Sequence, residues 1–433
     1  MLTGHGLNFL KDFDLKALIF NTEDIAGGAG RMAYRTHKGF QMLGIDSKLC
    51  AMYPKQSGDE NVIAPSTRLQ QFLSLARYLV NAIPMQLLYR NREKTIWSAN
   101  WVCNRNIKKA LAEIAPDIVN LQQVGEGFMS SGDISDIKTP VVWTFHDMWA
   151  FTGGCHYAGE CDKYMKLCGA CPQLHSRFHH DLSRFNFWRK EKAYKKILEK
   201  GDMKIVCPNK WMADCVQKSA LLKDFKPDII PYGIDHNVFR PINKKTARDI
   251  LGLSDKKLIL FSAADASDKR KGIQYLVPAL NYLQTRIRDA EVMILSSETK
   301  KNAGIKYNIN YMGRQQNELS LSLIYSAADV VVAPSVQDNS PLVVLESLAC
   351  GTPCVAFKIG GIPDMIEHLK NGYLVEPFDV EELSHAIEWA ITDKTRHAAL
   401  SKTAREKVER EFTLRNSAEK YLQLFKKLLR IKD

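Results

Sequence analysis

The chain has 433 residues, 45% of them hydrophobic, a formal net charge of +12 and an isoelectric point near 9.1. That length exceeds what one core supports and predicts two domains of ~100–200 residues each, while no apolar run approaches the ~18 residues of a membrane span and the start lacks a secretory h-region, so a cytoplasmic protein is expected. The basic balance favours anionic partners, but the absence of zinc-finger spacing, an RNP-type strand or a basic heptad helix argues against nucleic acid.

Short apolar runs alternate with longer helix-like segments: LKALIF, DIVNL, PVVWTF, KIVCPN and DIIPYG, then KLILFS, EVMILSS, INYMG, DVVVAPS, TPCVAF and GYLVEP. Many lack in-out alternation, which marks strands covered on both faces. The fold class is therefore α/β, with two doubly wound, Rossmann-like parallel sheets. Ligands of such sheets bind beyond the carboxyl ends of strands, so two sheets facing a cleft should carry their motifs just after strands.

The first strand, Leu15 to Phe20, is followed by a loop containing Gly27, Gly28 and Gly30, which opens a helix running through Tyr34 and His37. Glycine there lets backbone N–H groups approach a phosphate or sugar closely. Gly28-x-Gly30-x-x-Ala33 nominally matches a dinucleotide fingerprint. The glycines come too late after the strand for that reading, and no acid closes the next strand, Ser47 to Tyr53. Residues 54–101 carry no motif; their stretch SLARYLVNAIPMQLLY reads as an amphipathic helix whose apolar residues join the core.

Further along, PVVWTFHD sets His146 at a strand end. Cys155, Cys161, Cys168 and Cys171 then gather within 22 residues, FTGGCHYAGECDKYMKLCGACP. In a reducing compartment their spacing favours a closed structural Zn²⁺ site that staples the loop, with free thiols as the alternative. The basic and aromatic segment Arg184 to Lys196 suits a helix on anionic lipid or a lipid diphosphate. It equally suits an ordinary amphipathic helix with Trp188 and Tyr194 as core anchors. After Pro231-Tyr-Gly-Ile-Asp235 a polar stretch with Pro241 precedes a fresh strand, which divides the chain into residues 1–235 and 236–414. A last helix, about 415–433, carries Tyr421, Leu424 and Phe425 at helical spacing.

In the second part, Asp268-Lys-Arg270-Lys271-Gly272 follows the strand LILFSA, and cations beside a helix start suit a diphosphate leaving group. Tyr311 ends another strand. The segment Ala333 to Asp364 sets Asp338 and Glu346 eight positions apart across a strand-to-helix turn, with Ser340 as the expected N-cap and Pro341 as the first helical residue. N–H groups at that helix start favour a diphosphate, and carboxylates on either side accept hydrogen bonds from hydroxyls, the layout of a nucleotide-sugar. An isolated acidic pair would otherwise be a solvated helix face.

This segment resembles the signature of the GT-B, retaining, family 4 glycosyltransferases of the group 1 type, Glu, seven residues, Glu, except that Asp338 stands in place of the first Glu. The resemblance covers nearly the whole chain. It implies a GT-B fold, with residues 1–235 on the acceptor side, 236–414 binding the donor, and the last helix packed back on the first domain. It implies sugar transfer with retention from a UDP- or GDP-sugar to a bacterial polysaccharide or lipid-linked oligosaccharide at the inner face of the cell membrane, with no cofactor required. By the same resemblance Glu346 binds the ribose and Asp338 lies near the transferred sugar. Asn339, Ser340, Pro341 and Leu342 form the donor-binding helix start, Arg270 and Lys271 face the diphosphate, and Tyr311 lies near the base. Gly27 and Gly28 border donor and acceptor, and His146 orients the sugar or stabilises charge without acting as a base. Residues 54–101 match no pattern of the family; beside the core-helix reading, a role in shaping acceptor binding is expected of them. Most relatives carry an Arg where this chain has Ala266, and Arg270 is read as compensating. The two departures keep open a non-catalytic sugar-nucleotide-binding protein, and a sugar-nucleotide epimerase is a further alternative.

Overall fold

In the computed structural model of the chain, residues 15–264, 268–297 and 304–431 are described. Packing divides the chain into one unit of residues 1–233 and 415–433 and a second of residues 234–414.

The first unit is built on a seven-stranded sheet: β1 Lys16–Asn21, β2 Asp46–Ala51, β3 Val62–Ile63, β4 Ile118–Leu121, β5 Val141–Thr144, β6 Met203–Cys207 and β7 Asp228–Ile229. Its order is β3-β2-β1-β4-β5-β6-β7, with every pair parallel. Strand β1 shows why the apolar runs do not alternate. Ala17 and Ile19 join a core layer with Phe40 and the last helix, while Leu18 and Phe20 join a second layer with Val119, Leu121 and Trp143. Both faces of the sheet are covered, as parallel sheets require. Helix α1, Gly27–Met42, lies on the first face, where Phe40 meets Tyr421 and Phe425 of the helix Leu414–Leu429 with ring centroids 5.5 and 5.2 Å apart.

Helix α2, Arg68–Leu88, starts in a capping box in which Thr67 and Gln70 satisfy each other's backbone N–H. It departs from the expectation of a core helix. Asn81, Ala82 and Met85 are buried, but Leu69, Phe72, Leu73, Val80, Ile83 and Leu87 are exposed. The helix Leu182–Lys200, which contains the basic and aromatic segment, mixes both readings. Phe187 and Tyr194 are core residues, whereas Phe185 and Trp188 are exposed.

The second unit carries a six-stranded parallel sheet: β8 Lys257–Ser262, β9 Ala290–Leu295, β10 Asn308–Tyr311, β11 Val330–Ala333, β12 Cys354–Phe357 and β13 Gly372–Val375. The order is β10-β9-β8-β11-β12-β13. Strands β11 and β12 are buried at every position. In each sheet the strand order reverses direction once, between β1 and β4 and between β8 and β11, and such switch points leave a crevice at the carboxyl ends of the strands.

Candidate functional site

At the switch point of the second unit the loops after β8 and β11 touch. Lys271 Nζ donates to Asp338 Oδ2 at 2.6 Å, joining two residues 67 positions apart. Asp338 is 5% exposed and Glu346 1%, so neither belongs to a solvated helix face. Glu346 sits on the second turn of the helix Leu342–Ala349, where its Oε2 accepts from the Tyr325 hydroxyl at 3.0 Å. The helix starts one residue later than the sequence suggests. Pro341 is the N-cap, with an extended ψ of 119°, and Ser340 turns its hydroxyl to Met365 Sδ at 3.9 Å. No side chain therefore caps this helix start, and its first N–H groups are suited to an anion. Asn339 and Pro341 are buried and Leu342 is half-buried beside it.

Two glycines clamp the loop that carries Asp338. A Cβ on Gly272, whose φ is +79°, would lie 1.7 Å from the Pro334 carbonyl oxygen, and one on Gly360, at φ +53°, would lie 1.9 Å from that of Asp338. Only glycine permits backbone to approach this closely in that conformation. Arg270 pairs with Asp268 at 2.8 Å, and its carbonyl accepts the Val336 N–H at 2.8 Å, a further tie between the same two loops. Tyr311 lies exposed at the end of edge strand β10, two strands from β8. Ala266 falls outside the described residues.

In the first unit, Gly27 and Gly28 begin α1 after an Ala26 N-cap without a side-chain cap. A Cβ at either glycine would meet nothing within 4 Å. His146, at the end of β5, is held at both ring nitrogens: Nδ1 to the Tyr232 hydroxyl and Nε2 to Gln122 Oε1, each at 2.5 Å. Gln122 in turn donates its amide to Asn120 Oδ1, and Asn120 donates to the Val142 carbonyl at 3.1 Å. With the amide assigned this way, Nε2 carries the proton and Nδ1 accepts from Tyr232. Burial lowers the His146 pKa from the usual 6.5 to about 4, against the opposing pull of Asp147. A neutral imidazole with both nitrogens engaged is fixed in orientation and is not set to take up a proton.

Beside this lies a relay that sequence spacing did not reveal. His156 Nδ1 meets Asp147 Oδ2 at 2.7 Å, His156 Nε2 meets Ser98 Oγ at 2.8 Å, and Ser98 Oγ accepts the Glu126 N–H at 3.0 Å. Glu126 has a φ of +53°, and burial raises its pKa. It lines a groove of about 700 Å³ with Tyr78, Met85, Trp97 and Asn100.

The expected zinc site is not supported. Cys155, Cys161, Cys168 and Cys171 line one small cavity, but among the described residues no group of three or more His, Cys, Asp or Glu is placed to hold a metal ion. With no metal beside them, burial keeps the thiols protonated, pushing Cys168 up to about 12 and Cys155 and Cys171 above their usual value. Other donors staple the loop instead. Lys163 donates to the Ala170 carbonyl at 2.5 Å, Arg184 to that of Cys168, and the buried Lys190 to those of Trp149 and Thr152.

His37 and His146 should make the stability of the first unit sensitive to acid. His37 is fully buried, and its pKa also falls from 6.5 to about 4, chiefly by burial, with Asp59 opposing. Between those values the unfolded chain binds protons that the folded chain refuses, so stability is present above pH 6.5 and lost as pH falls towards 4. Urea unfolding followed at pH 7 and at pH 5 should show a loss of about 1–3 kcal/mol per such histidine. His37→Gln should flatten that slope, and an unchanged slope would remove His37 as its source.

Two family models match the chain in succession: Glycosyltransferase Family 4 over residues 26–238 and Glycosyl transferases group 1 over residues 243–407. Among curated relatives, N-acetyl-alpha-D-glucosaminyl L-malate synthase of Bacillus anthracis is 26% identical over 205 residues, 46% of this chain and 52% of the relative. D-inositol 3-phosphate glycosyltransferase of Segniliparus rotundus is 31% identical over 176 residues, 36% of this chain and 37% of the relative. The chain thus spans about half the length, or less, of the curated relatives it matches. Among solved structures, sucrose-phosphate synthase from Thermosynechococcus elongatus superposes with a TM-score of 0.68 at 19% identity, covering 96% of this chain and 100% of that one. Anabaena HepE in complex with UDP-glucose gives 0.63 at 14% identity, covering 95% and 100%. At these identities the structural likeness establishes the fold alone, and the family models supply the rest. The chain belongs to the group 1, family 4 glycosyltransferases and has their GT-B fold.

Proposed function

We propose that the protein transfers a sugar from a nucleotide-diphosphate sugar, UDP- or GDP-linked, to a bacterial polysaccharide or lipid-linked oligosaccharide, with retention at the anomeric carbon. The observation that carries this reading is the Lys271–Asp338 pair beside an uncapped helix start, with Glu346 buried on the second turn of the same helix. Glu346 accepts hydrogen bonds from the ribose, and its contact with Tyr325 fixes its orientation. Lys271 and the N–H groups of the helix start, from Asn339 to Leu342, hold the diphosphate. They stabilise the charge that grows there as the bond to the anomeric carbon breaks, the task a divalent ion performs elsewhere. Asp338 receives a sugar hydroxyl, and its ion pair poises Lys271 between sugar and phosphate. Tyr311 lies against the base.

On the acceptor side, Gly27 and Gly28 leave room for the sugar, and neutral His146 orients it by exchanging one of its present partners, Gln122 or Tyr232, for a sugar hydroxyl. The groove beside Glu126 takes the acceptor. The acceptor hydroxyl attacks from the face the leaving group vacates and passes its proton to the departing phosphate, which needs no enzymic base. A lipid-linked acceptor would bring the enzyme to the inner face of the cell membrane. The UDP-glucose bound in the HepE crystal structure supports the donor class by analogy of fold.

The test is incubation of the protein with UDP- and GDP-sugars and saccharide acceptors, with the anomeric configuration of the product read by NMR. Retention with an α-linked donor gives an α-linked product, a β-linked product would refute retention, and isomerised donor without acceptor would indicate an epimerase. Arg270→Ala should weaken donor affinity several-fold, because the arginine adds positive field beside Lys271. Unchanged donor affinity and turnover in steady-state kinetics would remove Arg270 from the site.

A further inference from the structure

Helix α2 turns an apolar stripe to solvent. Leu69, Phe72, Leu73, Val80, Ile83 and Leu87 recur at helical spacings of three, four and seven, and Phe72 and Leu87 are 65% and 63% exposed. The opposite side of the helix, through Asn81, Ala82 and Met85, is the side that packs. The stripe is about 27 Å long at 1.5 Å per residue, far beyond the scattered apolar side chains of an ordinary surface. Its backbone is completed from outside the helix. Pro84 has no N–H to give the Val80 carbonyl, and the indole N–H of exposed Trp101 donates there instead, at 3.2 Å. Trp101 links the stripe to the helix Leu182–Lys200, because its carbonyl accepts from Arg189 at 3.2 Å. On that helix Arg189 lies over the ring of exposed Phe185, and Arg184 over that of exposed Trp188.

Along the sequence, the charges on the helix and its flanks have one sign. No acidic residue occurs between Glu60 and Glu93, while Arg68, Arg77, Arg90 and Arg92 fall in that interval and Lys94 follows it. An apolar face on a stretch that carries arginines and no acids, flanked by aromatic–arginine pairs, matches the boundary between acyl chains and anionic headgroups. No helix among the described residues is long and apolar enough to cross a membrane, so such a helix would lie in the interface and not span it. We propose that the outer face of α2, with Trp101, Phe185 and Trp188, is a docking surface for an anionic lipid bilayer. The inference deepens the lipid-linked-acceptor reading and rests on it only for the choice of lipid over another apolar partner.

The test is co-sedimentation of the full chain with phosphatidylcholine vesicles, with and without phosphatidylglycerol, in the absence of donor and acceptor. Failure of lipid binding would therefore leave sugar transfer untested and intact. The wild type should partition at least about tenfold more strongly onto the anionic vesicles, and the exposed-face variant Phe72→Glu/Ile83→Glu should lose at least about tenfold in partitioning with its thermal melt unchanged. Equal partitioning of wild type and variant would overturn the proposal. So would a concentration-dependent dimer, seen by sedimentation velocity, that the variant abolishes while vesicle binding stays the same, because the face would then belong to a second copy.

Discussion

Lys271→Ala should lower kcat/KM for the nucleotide-sugar by about 10²–10³, the loss expected when one preorganised charge facing a leaving group is removed. The lysine is the cation that the fold brings to within 2.6 Å of Asp338, beside a helix start that no side chain caps. Its removal has a second effect. The Asp338 side chain is 7% exposed and would be left without that partner, whereas the lysine itself is 24% exposed and already shares its charge with water. The cost to the second unit should therefore be about 1–2 kcal/mol, below that of breaking a fully buried pair. The double variant Lys271→Ala/Asp338→Ala separates the effects in steady-state kinetics and urea unfolding. It should recover most of the lost stability and none of the lost activity. Recovery of activity would mean that the lysine serves only to neutralise Asp338.

Gly272→Ala should be the most damaging single methyl group in the second unit. The new Cβ would sit 1.7 Å from the Pro334 carbonyl oxygen at a φ of +79°, so either the Lys271 loop or the β11 loop must move. Left-handed strain alone costs an alanine about 1–2 kcal/mol, and forced displacement of backbone brings the expected loss to about 3 kcal/mol or more. Gly252 is the internal control. Its φ is +65°, but a Cβ there meets nothing within 4 Å, so Gly252→Ala should show the strain without the collision. Gly272→Ala should also abolish donor binding at temperatures where the variant is still folded, since Lys271 and Asp338 lie on the two loops that must separate. Equal losses in the two variants, read from urea midpoints, would show that the loop contact does not matter.

The strands were legible because parallel strands buried on both faces write continuous apolar runs, as VVVA of β11 and CVAF of β12 do. The carboxyl-end rule then directed attention to the loops where Lys271, Asp338 and His146 lie. Two-residue β3 left no such mark, since Val62 and Ile63 follow polar residues and run into Pro65 without a longer apolar stretch, whereas the equally short β7 lies in the apolar run DIIPYG. The partners of the candidate site were hidden for a different reason. Tyr232 meets His146 across 86 positions, and Tyr325 meets Glu346 across 21, contacts that depend on topology and leave no mark on local spacing. Nor does local sequence mark Gly272 and Gly360, whose need for glycine comes from carbonyls of Pro334 and Asp338 that the fold brings against them.

The misreadings have equally physical causes. Cysteine spacing brings four thiols to one small cavity, but gathering around a cavity does not by itself place them to hold a metal, and lysine and arginine donors hold that loop. The apolar residues of α2 were assigned to the core because periodicity identifies an amphipathic helix without saying which neighbour covers its apolar face. The helix starts at Leu342, one residue later than expected, because Pro341 keeps an extended ψ and takes the N-cap, while Ser340 turns to Met365. That shift leaves the helix start without a side-chain cap, which matters more to the proposed chemistry than a capped start would.

The central claim is that Lys271, Glu346 and the helix start form a nucleotide-diphosphate site, and calorimetric titration with UDP, GDP and their sugars tests it most directly. The account predicts saturable binding of at least one of them, with about 2.7 kcal/mol of stabilisation at ~100 Kd. Affinity should fall at least about tenfold in both Lys271→Ala and Glu346→Ala. Absence of binding by the folded wild type, or binding that neither substitution weakens, would contradict it.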